Sequence, residues 1–195
     1  MVLGISGKIH TGKTALSELV TDMLTDYGIS VARVSFGSLL KEEASKRFGF
    51  PIQYCYCAAG KERVIFHPDL PSQSMTVREI LQWWGTDVRR AENPAYWVHA
   101  MEMHRFMIDA DVIIIDDVRF PNEADWVLHS QGGMLVRLFP YDGWIPGPYA
   151  EHVSETALDR YKFSTTIAPE YGELPYEADI LQAQIRETLI QAQNA

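Results

Sequence analysis

Cysteine is scarce in this 195-residue chain: there are two, Cys55 and Cys57. They stand close together with no second cysteine pair to complete a zinc site, so they read as reduced thiols in a cytoplasmic protein. Long hydrophobic runs are also missing. No apolar stretch approaches the roughly 20 residues that span a bilayer. No basic segment followed by a cleavage site opens the chain, so secretion is not expected. Positive charge is in deficit, with 17 Lys and Arg against 26 Asp and Glu and a net charge of −9. That balance argues against broad attraction to nucleic acid or to anionic membranes. It leaves room for a phosphate cleft, which needs only a few local cations. Internal repeats and low-complexity tracts are absent. What remains is an ordinary globular composition, 47% apolar and 22% charged, at a length that fits one domain with a real core.

Hydrophobic spacing divides the chain into alternating strands and helices. Val2 to Ser6 is a short apolar run, and from Thr14 apolar residues recur at helical spacing until Gly28. Ile29 to Phe36 reads as a second strand and Leu39 to Phe48 as a helix. Residues 49–73 mix Pro, Gly and charge and read as irregular with helical pieces, which makes 49–75 a flap candidate. Thr76 and Glu79 have the spacing of a capping box, opening a helix expected to stop at Gly85. Asn93-Pro94 reads as another helix start. Asp111 to Asp116 encloses a continuous apolar run of the kind buried on both sheet faces. A helix from Asn122 to Gly132, strands at Met134 to Phe139 and Phe163 to Ile167, and a closing helix at Leu174 to Gln193 complete the pattern. Tyr141 to Val153, rich in Pro, Gly and aromatics, reads as a loop, and 140–160 is a lid-side loop candidate. Strands alternating with helices predict an α/β fold with a parallel sheet covered on both faces.

Gly7 to Thr14 reads G-K-I-H-T-G-K-T, the G-x-x-x-x-G-K-[ST] phosphate loop between a strand and a helix. Its glycines let the backbone curl round an anion with N–H groups pointing inward. Gly7, Lys8, Thr11, Gly12, Lys13, Thr14 and Ala15 are therefore candidate ATP contacts. Lys13 would reach the β- and γ-phosphates and the Thr14 hydroxyl would ligate Mg²⁺. Lys8 is either a catalytic cation or a solvated loop lysine. Ile113 to Asp117 then supplies a carboxylate at the end of a buried strand, where Asp116 or Asp117 would serve the metal or position the reacting groups. Arg119 follows at the same strand end. It would stabilise charge spread over a transferring phosphoryl group, or else pair with a nearby acid such as Glu123. Arg89 or Arg90 offers a bidentate fork to an acceptor phosphate. Trp83, Trp84 and Trp97 are either core or base-stacking surfaces.

Together these stretches resemble the phage deoxynucleoside monophosphate kinases and, more distantly, animal phosphomevalonate kinase. The resemblance runs in register through Ser6–Lys13, S-F-G-S-L-L-K-E at Ser35–Glu42 and T-V-R-E-I-L-Q-W-W-G-T-D at Thr76–Asp87, then Arg89 and Tyr96-Trp97. It continues through D-V-R-F-P-N-E-A at Asp117–Ala124, Gly132-Gly133 and H-V-S-E-T-A-L at His152–Leu158. It implies a nucleoside-monophosphate-kinase-like fold with a five-stranded parallel core, within a single domain. It implies transfer of the ATP γ-phosphate, with Mg²⁺, to a dNMP. By matched position, Lys41 would contact phosphate, and Arg89, with Trp84, Thr86 and Trp97 beside it, would hold the acceptor. Lys13, Lys8, Asp117 and Arg119 would sit at the transfer site, and the loop from His152 to Glu155 near the lid. The chain departs from the family pattern at Thr14, where Asp is usual, and at Ile9, His10 and Phe139, where basic residues are usual. Two other readings stay open: the same chemistry on a modified pyrimidine nucleotide or a hydroxymethylated base in DNA, and a nucleotide-binding protein without turnover. Homodimerisation through the C-terminal helix is likewise open.

Overall fold

The computed structural model describes residues 1–130, 132–146 and 151–194. The chain forms two compact units, Met1–Ser35 with Ile108–Ala195, and Phe36–Met107. In chain order the first unit opens with β1 (Val2–Gly7), α1 (Lys13–Asp26) and β2 (Val31–Val34). The second contains α2 (Phe36–Phe48), α3 (Ala58–Lys61), β3 (Val64–Phe66), β4 (Ser74–Thr76), α4 (Val77–Gln82) and α5 (Tyr96–Arg105). The chain then returns to the first unit with β5 (Val112–Ile115), α6 (Pro121–His129), β6 (Met134–Leu138), α7 (Val153–Thr156), β7 (Thr165–Ile167) and α8 (Leu174–Gln193).

The first unit is a five-stranded parallel sheet in the order β2-β5-β1-β6-β7. β1 and β5 are buried along their whole length, as strands covered on both faces must be. Leu3, Ile5, Ile114 and Val136 meet Leu16, Val20 and Leu24 of α1 and Leu181 and Ile185 of α8 in one core. Each such side chain contributes roughly 1.5–3 kcal/mol by leaving water. Leu181 and Ile185 of α8 are thus buried within the helix's own unit, while Ile180 and Ile190 on the same helix are exposed. The strand expected at Ile29 to Phe36 is shorter, because the backbone enters α2 at Phe36.

The second unit builds its core from Phe48, Phe50, Cys55, Leu70, Ile80 and Trp84 among others. The flap candidate at 49–75 contains a 3₁₀ turn at Ile52–Cys55, α3, and most of the antiparallel β3–β4 hairpin. The Thr76 capping box forms, with Thr76 Oγ1 accepting from the Glu79 N–H and Glu79 accepting from the Thr76 N–H. The expected stop at Gly85 does not occur. A π-helical segment, Trp83–Arg90, carries the chain straight through it. Gly85 serves close approach instead: a Cβ there would meet Leu40 Cδ2 at 2.8 Å. α5 begins at Tyr96 rather than Pro94, with Asn93 Oδ1 accepting from the Ala95 N–H before it. Among the described residues, no helix is long and apolar enough to cross a membrane. Residues 147–150 of the 140–160 loop lie outside the described residues.

Candidate nucleotide-binding site

β1 ends on Gly7 and α1 begins on Lys13, so the motif spans one strand end, one loop and one helix N-terminus. His10 (φ 62°) and Gly12 (φ 96°) both adopt the left-handed conformation. Alternating hands of this kind are the ones that build anion-binding nests. Glycine accepts such a φ freely, whereas His10 is strained and is held by the loop around it. The loop closes on a single acceptor, the Lys8 carbonyl. It receives the Thr11 N–H at 3.3 Å, the Thr11 hydroxyl at 2.8 Å and the Lys13 ammonium at 2.7 Å. The first-turn amides of α1, at Lys13, Thr14 and Ala15, have no acceptor one turn back within the helix and point along its positive end.

Neighbouring strand ends bring the charged groups. Asp116 follows β5 directly, and its Oδ2 lies 3.4 Å from Ser17 Oγ, which itself donates to the Thr14 carbonyl at 3.1 Å. Arg33 Nη2 stands 3.5 Å from the same carboxylate oxygen. Asp116 thus has a contact to the first turns of α1. Arg119 pairs through its side chain with Glu155. Glu123, the alternative partner weighed from sequence, is buried and accepts the backbone N–H of Arg119 at 2.8 Å and of Phe120 at 3.1 Å instead. Arg137, inside β6, donates to Ser6 Oγ at 2.9 Å and to Asp159 Oδ1 at 2.6 Å. Asp159 Oδ2 also pairs with Lys8 Nζ at 3.2 Å. A cleft of about 410 Å³ opens beside Lys8, walled by Arg137, Tyr161 and Phe163.

Lys13 is the electrostatic focus of this arrangement. Burial, then the Arg119 charge, lowers its pKa from 10.5 to about 8, with Glu155 and Asp116 opposing and Arg137 adding to the fall. A polyphosphate favours the ammonium, so binding draws Lys13 back to the charged form. Two results are expected. ATP binding takes up a proton at pH 8.5–9, roughly none at pH 6.5, and its affinity falls up to about tenfold per pH unit above pH 8. Titration calorimetry in buffers of different ionisation enthalpy measures the uptake. An uptake that persists in Lys13→Met would assign it elsewhere.

In the second unit the π-helical segment stacks Arg89 on Trp84, five residues before it, at 4.4 Å, and on Tyr96 at 4.6 Å. Glu43 accepts from Arg89 Nε at 2.7 Å, from Trp84 Nε1 at 2.9 Å and from the Tyr96 hydroxyl at 2.7 Å. Glu92 reaches Arg89 Nη1 only at 3.4 Å and is itself exposed. Lys41 lies over the Tyr56 ring at 4.6 Å. Thr86 is exposed. Trp97 is 2% exposed and donates to the Gly85 carbonyl at 3.1 Å, so it belongs to this unit's interior rather than to a stacking surface. Trp84 is also mostly buried, and its face is taken by Arg89.

Sequence reasoning did not single out Arg137, Asp159, Arg33 or Glu43. Arg137 carried a signal, a lone charge within the apolar run M-L-V-R-L. The others are ordinary surface-type residues whose partners lie far along the chain.

No protein-family model matches the chain, and no curated sequence matches it. Among solved structures it is similar to a shikimate kinase from Acinetobacter baumannii in complex with shikimate, at 10% identity over 95% of this chain and 93% of that one, with a TM-score of 0.47. It is also similar to molybdopterin-guanine biosynthesis protein B, at 17% identity over 95% and 99% of the two chains, with a TM-score of 0.35. Neither likeness bears on the substrate. The strand–loop–helix at Gly7 to Thr14 itself has the form of a phosphate-binding P-loop.

Proposed function

We propose that this protein is a deoxynucleoside monophosphate kinase that transfers the ATP γ-phosphate to a dNMP. The observation that carries the phosphotransfer reading is the convergence of cations on one phosphate loop. Lys8 and Lys13 come from the loop, Arg119 follows β5, and Arg137 lies in β6. The acceptor class rests on the family resemblance. The acceptor phosphate is already anionic, so no strong general base is required. Catalysis is then positioning plus neutralisation of the charge that spreads over the moving group. Lys13 reaches the β- and γ-phosphates and Arg119 the transferring group. Asp117 lies at the same strand end. In the second unit, Arg89 takes the acceptor phosphate and Lys41 assists.

The oxygen donors at the head of α1 fit Mg²⁺, which takes one or two protein oxygens and completes its shell with phosphates and water. Thr14, with Asp116 or Asp117, would hold it. When bound, the ion would supply positive charge that offsets the charge of the phosphates.

The test is ADP release by the purified protein with ATP–Mg²⁺ and each dNMP in turn. Turnover with one or more dNMPs is expected. ATP binding without turnover on any of them would overturn the dNMP reading and favour a modified acceptor or a non-catalytic role.

A further inference from the structure

We propose that Glu155 and Asp159 are positioning residues of the transfer site, a carboxylate pair that ties the phosphate loop to two arginines. The inference rests on the phosphotransfer reading above.

The same bridge is made twice. Glu155 accepts the Ile9 N–H through Oε2 at 2.6 Å and pairs with Arg119 through Oε1. Asp159 pairs with Lys8 through Oδ2 at 3.2 Å and accepts from Arg137 through Oδ1 at 2.6 Å. Each carboxylate therefore spends one oxygen on the loop and the other on a guanidinium. The two acids stand four residues apart, one on α7 and one on the turn that continues it, where the Asp159 N–H bonds the Thr156 carbonyl. A helical turn brings residues at that spacing to one side.

Burial gives the bridge its weight. The Glu155 and Arg137 side chains are 4% and 7% exposed. A buried charge left without its partner is strongly destabilising, so buried Glu155 and Arg137 each hold a partner, Arg119 and Asp159, that is 30% and 39% exposed. An unrestrained Arg samples many rotamers, and ordering it at the moment of reaction raises the barrier. Glu155 removes that freedom from Arg119 beforehand. Direct contact of either acid with a transferring phosphoryl group would be repulsive, and both oxygens of each are already engaged by protein donors. Fastening this segment to the loop does not by itself require charge. Trp144 does so with a neutral bond, its Nε1 donating to the Ile9 carbonyl at 3.0 Å. The acids instead match cations that phosphoryl transfer uses.

The test is a double-mutant cycle. Glu155→Gln keeps an acceptor for the Ile9 N–H and removes the charge facing Arg119. We expect kcat to fall about 10- to 100-fold with the KM for ATP within about threefold. In an Arg119→Ala background the same change should cost nothing further, because Glu155 acts through Arg119. Additive losses, or a kcat within about threefold of wild type in a folded protein, would overturn the proposal. If Glu155→Gln unfolds, the Asp159→Asn and Arg137→Met cycle decides on the same criterion.

A separate readout follows the Ile9 amide proton, which donation to a carboxylate at 2.6 Å places far downfield. It should move upfield in Glu155→Gln, or in Glu155→Ala, and stay in Asp159→Asn; a resonance that does not move would overturn the bridge. An active wild type with unaffected variants defeats the positioning role alone. A wild type silent with every dNMP defeats the kinase reading, and the amide proton then decides whether the bridge exists.

Discussion

Lys13→Ala is expected to lower phosphoryl transfer about 10³-fold or more while the protein stays folded. The ammonium is held over the loop by the Lys8 carbonyl at 2.7 Å, and its charge is needed most when charge moves between donor and acceptor. Its removal leaves Arg119 and Arg137 in place but takes away the cation carried by the loop itself. The apo protein should not suffer for the loss. The folded pKa of about 8 lies below the ordinary 10.5, so the charged form is disfavoured in the folded state. Below pH 8 that penalty is fully present, up to about 3 kcal/mol, and it fades as pH rises from 8 toward 10.5. Without nucleotide, Lys13→Ala should therefore melt no lower than wild type at pH 7, and higher if packing is undisturbed. With saturating ATP the order should reverse, because wild type gains more binding energy than the variant. Thermal melts at pH 7 with and without ATP, beside a turnover assay, check each part. A Lys13→Ala enzyme with near-normal turnover would refute the role of the loop.

The legibility of this protein follows the range of its interactions. The strand–loop–helix at Gly7 to Thr14 is local, eight consecutive residues between a strand and a helix, so spacing alone placed it. The buried strand β5 announced itself because both faces are covered, and every position in V-I-I-I is apolar. Gly85 misled because glycine has two uses. As a helix stop it would need a left-handed φ, whereas here it makes room for Leu40 inside a continuous helical run. The Glu43 cluster depends on that π-helical segment, and a wider helical turn leaves no mark in a pattern read at 3.6 residues per turn. The bridges at Glu155 and Asp159 join residues 146 and 151 positions apart. Nothing in one sequence couples such pairs. Trp97 shows the converse limit: an aromatic residue beside a candidate site reads alike whether it stacks on a ligand or fills a core, and burial decides.

Gly7→Ala should abolish nucleotide binding, with an affinity loss of at least about 100-fold and a stability loss of roughly 1–3 kcal/mol. The requirement at Gly7 is space rather than an unusual φ. A Cβ there would lie 2.7 Å from the Leu138 carbonyl oxygen and 2.8 Å from Thr11 Oγ1. The first is backbone of β6, and Gly7 and Leu138 are register partners in the sheet, so relief means prying two central strands apart. The second is the hydroxyl that donates to the Lys8 carbonyl, the acceptor that also holds Lys13. Either movement opens the cradle. Gly4→Ala, on the same strand, is the control. Its added methyl meets Leu135 Cδ1 and the Val127 methyls at 3.0 Å, which are side-chain tips that can give way. That variant should lose some stability and keep its ATP affinity. Fluorescence titration with a labelled ATP analogue, beside thermal melts of both variants, separates the two effects. A Gly7→Ala protein that binds ATP as wild type does would mean the anion is held by side chains alone. The close packing of loop and strand would then be a feature of the fold rather than of the site.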